Sequence, residues 1–393
     1  MAKPYRVQVL NQISAHGLKR LPAELYEIGK DIADPDAILV RSADMHSLTI
    51  ASSVRAIGRA GAGTNNIPVS AMSTRGVPVF NAPGANANAV KELVLAGMLM
   101  AARNLPAALQ FVAGLDASDP NMDSRVEDGK KAFAGFELTG HTLGVIGLGR
   151  IGCLVADAAI RLGMHVIGYD PDITVDAAWS LPAQVRKAHS VAELLKASHF
   201  VSIHVPLVAA TKHLINAQAL ETMRPGAVLL NFSREGVVDD NALLAALAAE
   251  RLRCYVCDFP GPAIHRHPRA IALPHLGAST REAEDNCAQM VADQIRDYLE
   301  HGNIRNAVNF PDAVAPRESA YRVAIANANV PNMLGQISTA MAQANLNIRN
   351  MLNKSRGEMA YTLVDVDSEV PGAAIESIGR IQGVLSVRYL LAP

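Results

Sequence analysis

The chain has 393 residues, of which 50% are hydrophobic and 19% charged, and its formal net charge is −1. This length predicts two or three domains with apolar cores, and a charge close to zero gives no reason to expect a nucleic-acid partner. The longest uncharged apolar run, residues 93–102, is about half the length that crosses a bilayer, so no membrane partner is predicted.

The start of the chain has the pattern of a parallel α/β unit, because strand-like runs alternate with helical or turn segments. Arg41-Ser42 and Gly58-Arg59-Ala60-Gly61 come directly after two of these runs. Ligands of open α/β sheets bind at the carboxyl ends of the strands. Arg41 and Arg59 are therefore candidate anion ligands, and the alternative for each is a solvated surface arginine. The predicted strands cover residues 7–10, 37–40, 54–57 and 77–80.

Residues 88–113 are predicted to form one long helix that is apolar on most faces and buried between domains. The next segment, 114–137, is polar, rich in Gly and Asp, and carries Lys130-Lys131. This composition predicts a protruding segment or a subunit contact.

A dinucleotide-binding motif organises the middle of the chain. A strand at 142–146 precedes Gly147-Leu-Gly149-Arg-Ile-Gly152, a helical run follows, and a second strand ends at Asp170. Gly147 permits a tight turn, Gly149 lets a diphosphate approach the backbone, and Gly152 lets the helix pack on the strand. The N–H groups at the start of the helix would hold the diphosphate. Asp170 has the spacing of the acid that binds a ribose 2′-hydroxyl, which predicts NAD rather than NADP.

Strands and helices continue to alternate beyond this motif, which predicts a doubly wound parallel sheet. Further strands are predicted at 200–205, 227–231, 255–258 and 271–273, each ending in polar or turn residues. These ends are where a cofactor and its substrate would meet catalytic groups. A helix over 282–300 is predicted to lead back to the first unit.

Two other patterns are interpreted as structural. Cys254 and Cys257 have the spacing of a redox pair, but they lie in a predicted strand without a second pair, which favours buried thiols. His265 and His267 flank one arginine without an acidic or cysteine partner, which favours a loop over a metal site, and no metal is predicted. Only four cysteines, and no hydrophobic leader after Met1, predict a reducing, cytoplasmic location.

The final part of the chain has a different pattern. Strand and helix signals follow each other as βαββαβ, which predicts a small ferredoxin-like module. A linker with Pro311 and Pro316 precedes it. The predicted elements cover residues 321–326, 331–344, 348–350, 359–365, 372–381 and 384–389.

These motifs together resemble the D-3-phosphoglycerate dehydrogenase family, a branch of the D-2-hydroxyacid dehydrogenases, over nearly the whole chain. The tail, at 329–335 and 345–348, resembles an ACT domain, a module that binds amino acids. An ACT domain behind this core favours phosphoglycerate dehydrogenases over formate, lactate or glyoxylate relatives. The matching motifs are Arg41-Ser42, Gly58–Gly61, Gly147–Gly152 with Asp170, His204–Leu207, Asn231–Asp239 and Pro274–Thr280.

The resemblance implies an α/β fold with two doubly wound parallel-sheet domains, in which a Rossmann-type nucleotide domain is inserted in a flavodoxin-like substrate domain, followed by the ACT domain. It implies NAD-dependent oxidation of 3-phosphoglycerate to 3-phosphohydroxypyruvate, the first step of L-serine biosynthesis. It further implies a homodimer or homotetramer with L-serine as an inhibitory effector. The implied domains are 1–88 with 281–310 (substrate), 89–280 (NAD), 311–319 (linker) and 320–393 (ACT).

The resemblance also assigns site residues by position. His275 would take the hydroxyl proton, a role that suits histidine because it titrates near neutrality. Arg234 would bind the substrate carboxylate through two parallel hydrogen bonds. The cofactor-binding set is Gly147, Gly149, Arg150, Ile151, Gly152, Asp170, Val205, Pro206, Phe232, Ser233, Arg234, Asp258, His275, Gly277 and Ala278. The substrate set is Arg41, Ser42, Arg59, Ala60, Gly61 and Lys131, the lysine from a neighbouring subunit, and the effector set is Asn329, Asn345 and Asn347.

Two alternatives stay open. The first is another D-2-hydroxyacid dehydrogenase, such as a hydroxypyruvate or glyoxylate reductase, whose substrate needs fewer cations than Arg41 and Arg59 offer. The second is a non-catalytic regulator that senses NAD or an amino acid, and the presence of both Arg234 and His275 argues against it.

The chain departs from the family pattern next to the catalytic histidine. Many relatives have a glutamate that orients the imidazole, whereas this chain has no acid between Asp258 and His275 and a shorter segment there. The orienting acid is absent, replaced by Asp258, or supplied from elsewhere, with Glu235 or Glu282 as candidates. We hypothesise that His275 works without a close carboxylate.

Overall fold

The computed structural model describes residues 3–392 and divides into two compact units. The split unit comprises the chain up to Asn86 and from Arg281 onward, and the inserted unit is Ala87–Thr280. The predicted fold class is confirmed, since two parallel sheets are followed by a small antiparallel sheet.

The first part of the split unit is a five-stranded parallel sheet in the order β2-β1-β3-β4-β5. Every residue of the central β3 is buried, as expected for a parallel sheet covered on both faces. The sequence pattern missed the short strand β2. The elements are β1 (Tyr5–Leu10), α1 (Ala15–Leu18), β2 (Tyr26–Gly29), β3 (Ala37–Val40), β4 (Ala56–Arg59), α2 (Val69–Thr74) and β5 (Val79–Phe80).

The inserted unit is a seven-stranded parallel sheet in the order β12-β11-β10-β9-β6-β7-β8. The strand order reverses beside β6, which is the switch point where doubly wound folds bind ligands. Its elements are α3 (Ala87–Ala102), α4 (Leu105–Ala113), α5 (Met122–Gly129), a 3₁₀ turn (Lys130–Phe133), β6 (Thr142–Ile146), α6 (Arg150–Arg161), β7 (His165–Tyr169), α7 (Val175–Ser180), β8 (Arg186–Lys187), α8 (Val191–Ala197), β9 (Phe200–Ile203), α9 (Ala217–Thr222), β10 (Ala227–Asn231), α10 (Asp240–Ala248), β11 (Leu252–Cys257) and β12 (Ala270–Ala272).

The prediction of one helix over 88–113 is wrong. The chain bends by 69° between α3 and α4. Asn104 adopts a left-handed conformation (φ 49°) at the break, and a proline follows within the first turn of α4. Among residues 3–392 no single helix is long and apolar enough to cross a membrane, although this bent pair passes that test jointly by length and composition.

The chain then returns to the split unit and forms a four-stranded antiparallel sheet in the order β14-β15-β13-β16. This is the predicted βαββαβ arrangement. The elements are α11 (Arg281–His301), β13 (Tyr321–Ala328), α12 (Met333–Gln343), β14 (Ile348–Arg356), β15 (Met359–Val366), α13 (Gly372–Gly379) and β16 (Val384–Leu391).

Both faces of β13, a central strand of this sheet, are buried. Val323 and Ile325 of β13 share a core with α12 and α13. Ala324 and Ala326, which alternate with them, belong to the same core as Tyr298 of α11. The small module is therefore continuous with the rest of the split unit.

A buried ion pair anchors this contact. Arg322 is 1% exposed and binds both oxygens of Asp365, at 2.6 and 2.8 Å. Its other N–H groups donate to the carbonyls of His301 (3.1 Å), Ala315 (3.1 Å) and Pro316 (2.8 Å). All five donors of the guanidinium are thus used, which offsets the cost of burying the charge.

Candidate active site

The glycine-rich loop after β6 has the geometry that a diphosphate requires. Gly147 has a positive φ of 91°, and a Cβ there would lie 2.6 Å from the carbonyl oxygen of His204. A Cβ on Gly152 would overlap the carbonyl oxygen of Gly147. A Cβ on Gly149, the N-cap of α6, would instead meet no atom within 4 Å. The backbone at Gly149 thus faces open space beside free helix N–H groups, which fits the predicted NAD diphosphate.

Asp170 lies directly after β7 with its carboxylate fixed by backbone donors. The N–H of Leu148 donates to one oxygen at 2.8 Å, and the N–H of Asp172 donates to the other at 3.0 Å. Each oxygen keeps a lone pair that can accept from a ribose hydroxyl. This carboxylate therefore ties the end of β7 to the glycine-rich loop.

The loop that carries His275 is held by Asp258. The N–H groups of Leu276 and Gly277 donate to the two carboxylate oxygens, at 2.7 and 2.8 Å, and the N–H of His275 donates to the Asp258 carbonyl at 3.1 Å. Burial raises the pKa of Asp258, and these backbone donors act against that rise. These two bonds hold the backbone of the loop and leave one lone pair on each Asp258 oxygen.

His275 itself is exposed and has a left-handed backbone conformation (φ 55°). Its ring lies against the ring of Phe259, with centroids 4.7 Å apart. Within the described residues of the inserted unit, no carboxylate forms a hydrogen bond or an ion pair with this imidazole. Asp258 does interact electrostatically with His275, which opposes the rise in the pKa of Asp258. The idea of a histidine without a close acid stays a hypothesis.

Arg234 follows β10 in a turn organised by Asn231. The Asn231 amide donates to the Arg234 carbonyl at 2.9 Å, and its oxygen accepts from the N–H and hydroxyl of Ser233, at 3.1 and 2.9 Å. The Arg234 side chain is exposed, and one of its N–H groups donates to the Ser233 carbonyl at 2.7 Å. Four further N–H donors of this guanidinium stay available for a carboxylate.

The other predicted cofactor residues lie at the same edge of the sheet, beyond the carboxyl ends of its strands. Arg150 and Ile151 begin α6, and Val205 and Pro206 follow β9. Phe232 and Ser233 are buried just past β10. Gly277 is buried and Ala278 half-buried in the loop that follows His275.

The two predicted substrate arginines lie at the carboxyl ends of neighbouring strands in the split unit. Arg41 follows β3 and pairs with Glu284 of α11 at 2.7 Å. Arg59 ends β4, and its guanidinium lies against Gly61. Burial raises the pKa of the Cys287 thiol on α11, and the nearby charges of Arg59 and Arg41 oppose that rise. Both guanidinium groups therefore lie near one position on α11.

Of the remaining substrate residues, Ser42, Ala60 and Gly61 lie beside the two arginines, and only Lys131 lies elsewhere in the chain. The Ser42 hydroxyl accepts from the Asn11 amide at 2.8 Å, and the N–H of Ala60, a buried residue, donates to a β3 carbonyl. Lys131 lies in the inserted unit, on the 3₁₀ turn, and pairs with Asp128 at 3.2 Å.

The three predicted effector residues do not come together within one chain. The Asn329 amide donates to the Gly357 carbonyl at 3.0 Å, at the hairpin end of the antiparallel sheet. Asn347 precedes β14, and its N–H donates to Asp367 at 3.3 Å, at the other end. Asn345 lies with Asn347, just past α12.

Sequence reasoning missed Asn327. This residue is 1% exposed, and its amide oxygen has no hydrogen-bond partner. It lines a cavity of about 220 Å³ together with Asn329, Asn332 and Asn353. The available signal was a polar residue inside the otherwise apolar run 323–328.

The cysteines carry no redox pair. All four are free and buried. Burial raises the pKa of Cys254 to about 12 and that of Cys257 to about 11, so both thiols are protonated. Among residues 3–392, no three His, Cys, Asp or Glu side chains are arranged to hold a metal ion.

Residues 95–277 match the family described as D-isomer specific 2-hydroxyacid dehydrogenase, NAD binding domain. The chain is 32% identical over 359 residues to D-3-phosphoglycerate dehydrogenase of Escherichia coli K12, which covers 87% of this chain and 83% of that protein. The chain belongs to the D-3-phosphoglycerate dehydrogenase family. As a member of it, the chain is an NAD-dependent dehydrogenase of the D-2-hydroxyacid class, and the predicted family and cofactor are confirmed.

Two further relatives are matched over a smaller share of their length or at a lower identity. The chain is 38% identical over 295 residues to D-3-phosphoglycerate dehydrogenase of Methanocaldococcus jannaschii, covering 73% of this chain but only 54% of that protein. It thus spans about half the length of that relative. The structure of cofactor (NAD⁺)-bound 3-phosphoglycerate dehydrogenase of Entamoeba histolytica matches with a TM-score of 0.59 and 24% identity, over 78% of this chain and 99% of that one. At this identity the match concerns the fold.

Proposed function

We propose that the chain oxidises 3-phosphoglycerate to 3-phosphohydroxypyruvate, with NAD⁺ reduced to NADH and one proton released, as the first step of L-serine biosynthesis. The observation that carries this proposal is the pair Arg41 and Arg59: Arg59 is the last residue of β4, Arg41 follows the adjacent strand β3, and both act electrostatically on Cys287. Two guanidinium groups suit a substrate phosphate, whereas an unphosphorylated 2-hydroxy acid needs fewer cations.

The residues of the inserted unit account for the remaining chemistry. Arg234 binds the substrate carboxylate, and His275 takes the proton of the 2-hydroxyl group as general base. Asp258 keeps the His275 loop in place through its two backbone bonds. NAD, when bound, supplies the hydride acceptor. Its diphosphate would lie at Gly149 and its ribose at Asp170.

The test is steady-state kinetics with NAD⁺ and a panel of 2-hydroxy acids that includes 3-phosphoglycerate and unphosphorylated D-glycerate. We expect the highest kcat/KM with 3-phosphoglycerate. Arg41→Ala should raise the KM for 3-phosphoglycerate at least about tenfold, because a charge-assisted contact is lost, and should leave D-glycerate kinetics nearly unchanged. An equal loss with both substrates, or a preference of the unmodified chain for an unphosphorylated acid, refutes this substrate.

We further propose that L-serine binds to the antiparallel module and lowers the activity. The buried, unpartnered amide oxygen of Asn327 in its cavity supports a polar ligand there. Asn329 and Asn347 lie at opposite ends of the sheet, so a ligand that contacts both requires two copies of the module. Calorimetry at millimolar serine that shows no heat, together with unchanged activity, refutes this.

The proposed assembly is a homodimer or homotetramer. Leu105, Leu109 and Val112 lie on one face of α4 and are 41%, 70% and 51% exposed, which is typical of a subunit contact. In such an assembly Lys131 would reach the substrate of a neighbouring subunit. Four free, buried thiols support a reducing, cytoplasmic location. Sedimentation at micromolar concentration that shows only a monomer contradicts the assembly.

A further inference from the structure

The segment His265–Arg269 has no part in the proposed reaction, yet it lines a cavity of about 830 Å³ in the inserted unit. Other lining residues come from the break between α3 and α4 and include Met100, Asn104 and Pro106. We propose that this cavity is a second ligand site, and that it binds a small polyanion bearing phosphate or carboxylate groups. The site is called the basic cavity below.

The basic cavity is separate from the dinucleotide edge of the sheet. Arg253, which lines it, is the second residue of β11, whereas Asp258, which holds the His275 loop, follows the last residue of β11. A strand of this length spans about 20 Å. Arg269 and Ala270 likewise line the cavity at the start of β12. The cavity therefore lies at the amino ends of strands whose carboxyl ends form the active site.

The charged side chains that line the cavity are all basic. Three arginines and two histidines line it, and none of its lining residues is Asp or Glu. Within residues 3–392, neither Arg253 nor Arg266 forms an ion pair with a carboxylate, whereas Arg269 pairs with Glu250 at 2.6 Å. Arg253 uses neutral acceptors, the Ala101 carbonyl at 3.4 Å and the Asn104 amide oxygen at 3.0 Å. Its positive charge is left for an anion.

The position of Arg253 is fixed before any ligand binds. Its guanidinium lies 5.0 Å from the centre of the Phe136 ring, a cation–π contact that adds to its two hydrogen bonds. The same guanidinium and that of Arg269 both act on the buried thiol of Cys254, where they oppose the rise in pKa that burial causes. Arg253 is therefore a prepositioned donor, which costs a ligand less ordering entropy.

Neutral groups complete the binding surface. The Nδ1 of His267 accepts the N–H of Arg269 at 3.2 Å, which leaves Nε2 of the ring to donate a hydrogen bond. Met100, Phe133 and Ile271 add an apolar floor. A volume of about 830 Å³ lies within the range of small-molecule sites, which is roughly 300–1,000 Å³.

An acidic segment of a second copy of the chain is another possible occupant of the basic cavity. The structure favours this occupant less than a small anion. The acids of segment 114–137 are largely engaged locally, with Asp119 on Arg125, Glu127 on Lys130 and Asp128 on Lys131. The exposed apolar face of α4 also differs from the face that Pro106 and Gln110 present to the cavity. A small diffusible anion would require neither the acidic segment nor the apolar face of α4.

Isothermal titration calorimetry on the full chain tests this proposal. The chain is first saturated with NADH, so that the diphosphate position at α6 is filled. Pyrophosphate is the probe in one arm and citrate in the other, which distinguishes phosphate from carboxylate ligands. Arg266→Ala and Arg253→Gln are compared with the unmodified chain. The control Arg161→Ala removes an exposed arginine of the same unit outside the cavity. Arg41→Ala identifies any heat that comes from the proposed substrate site.

We expect saturable binding of at least one probe that Arg266→Ala and Arg253→Gln weaken about tenfold or more, the loss of one charge-assisted contact, while Arg161→Ala and Arg41→Ala leave it unchanged. NADH affinity should stay the same in all four variants. Heat that only Arg41→Ala removes overturns the proposal. So does a result in which Arg266→Ala and Arg253→Gln leave probe binding unaltered and shift the sedimentation coefficient toward a monomer, since the cavity would then be a subunit contact.

Discussion

Asp170 and Asp258 use their carboxylates to hold backbone N–H groups at the ends of two strands. Asp170 joins the end of β7 to Leu148 of the glycine-rich loop, and Asp258 joins the end of β11 to the loop after His275. Each side chain thus positions a loop of the candidate active site. The free lone pairs of Asp170 could then accept from the ribose hydroxyls of NAD, as we propose.

Asp170→Ala should weaken NAD binding and relax the preference over NADP. The variant loses the acceptor for the ribose hydroxyls and the charge that repels a 2′-phosphate. We expect the ratio of kcat/KM for NAD to that for NADP to fall about tenfold or more. Asp172→Ala is the control, since its side chain has no predicted cofactor contact. Comparable efficiency of the unmodified chain with NAD and NADP would contradict the assignment of Asp170.

His204 should make the protein less stable in mild acid. The residue is half-buried, but its Nδ1 is fully buried without a partner and its Nε2 bonds Ser202 at 2.8 Å. Burial lowers the pKa of His204 to about 4, whereas an unfolded histidine titrates near about 6.5. Between these pH values the unfolded chain takes up the proton and the folded chain does not. The free energy of unfolding should therefore fall as the pH falls through this window, by up to about 3 kcal/mol.

Urea unfolding of the unmodified chain and of His204→Gln between pH 4 and pH 7 measures this contribution. The stability difference between the two proteins should change with pH in the stated direction. His165→Gln, which alters an exposed histidine, should keep the slope of the unmodified chain. Parallel curves for the unmodified chain and His204→Gln would show that His204 is not the titrating group.

At the level of elements, α11 connects two parts of the split unit. Glu284 in its first turn pairs with Arg41, and the carbonyl of His301 at its end accepts from Arg322 of β13. Tyr298 near the same end accepts a hydrogen bond at its carbonyl from Arg388 of β16 and receives that guanidinium on its ring at 4.4 Å. One helix therefore contacts both the candidate phosphate site and the antiparallel sheet.

Arg322→Lys should destabilise the split unit although it conserves the charge. An ammonium group has three donors and cannot reproduce the fork that binds Asp365 and three carbonyls. We expect the free energy of unfolding to fall by about 2–4 kcal/mol, because carbonyl groups are left unpaired in the interior. Thermal and denaturant unfolding measure it, with Arg349→Lys, an exposed arginine of β14, as the matched control. Equal midpoints for the two variants would mean that the buried network contributes no net stability.

At the scale of the whole molecule, the proposed serine site depends on pairing of two chains. Register places Asn329 beyond the end of β13 that pairs with Met359, and Asn347 before the residue of β14 that pairs with Val366. Eight residues of extended strand separate the two ends, a distance of roughly 25 Å. A molecule of the size of serine cannot contact both in one chain.

A subunit-mixing experiment tests this pairing. Asn329→Ala and Asn347→Ala, each alone, should abolish serine inhibition. When the two variants are co-expressed and the mixed dimer is purified, one of its two sites keeps both asparagines, so we expect about half of the serine binding to return. Mixing each variant with unmodified chain provides the comparison. A mixed dimer that binds no serine, with Asn327 unaltered, would contradict a shared site.

The sequence by itself determined the local motifs and the order of the elements. Gly147, Gly149 and Gly152 act within one turn, and the residues around them are consecutive, so the spacing alone predicts the loop that they form. The alternation of strands and helices likewise predicts both parallel sheets, because each element follows the periodicity of its own few residues.

Only the tertiary structure decided which distant groups meet. Arg322 and Asp365 are 43 positions apart, and Arg41 and Glu284 are 243 apart. The bend at Asn104 interrupts a continuous apolar pattern, and Asn329 and Asn347 fall at opposite ends of one sheet. Such outcomes depend on strand register and on the packing of side chains from separate elements, which no window of consecutive residues contains.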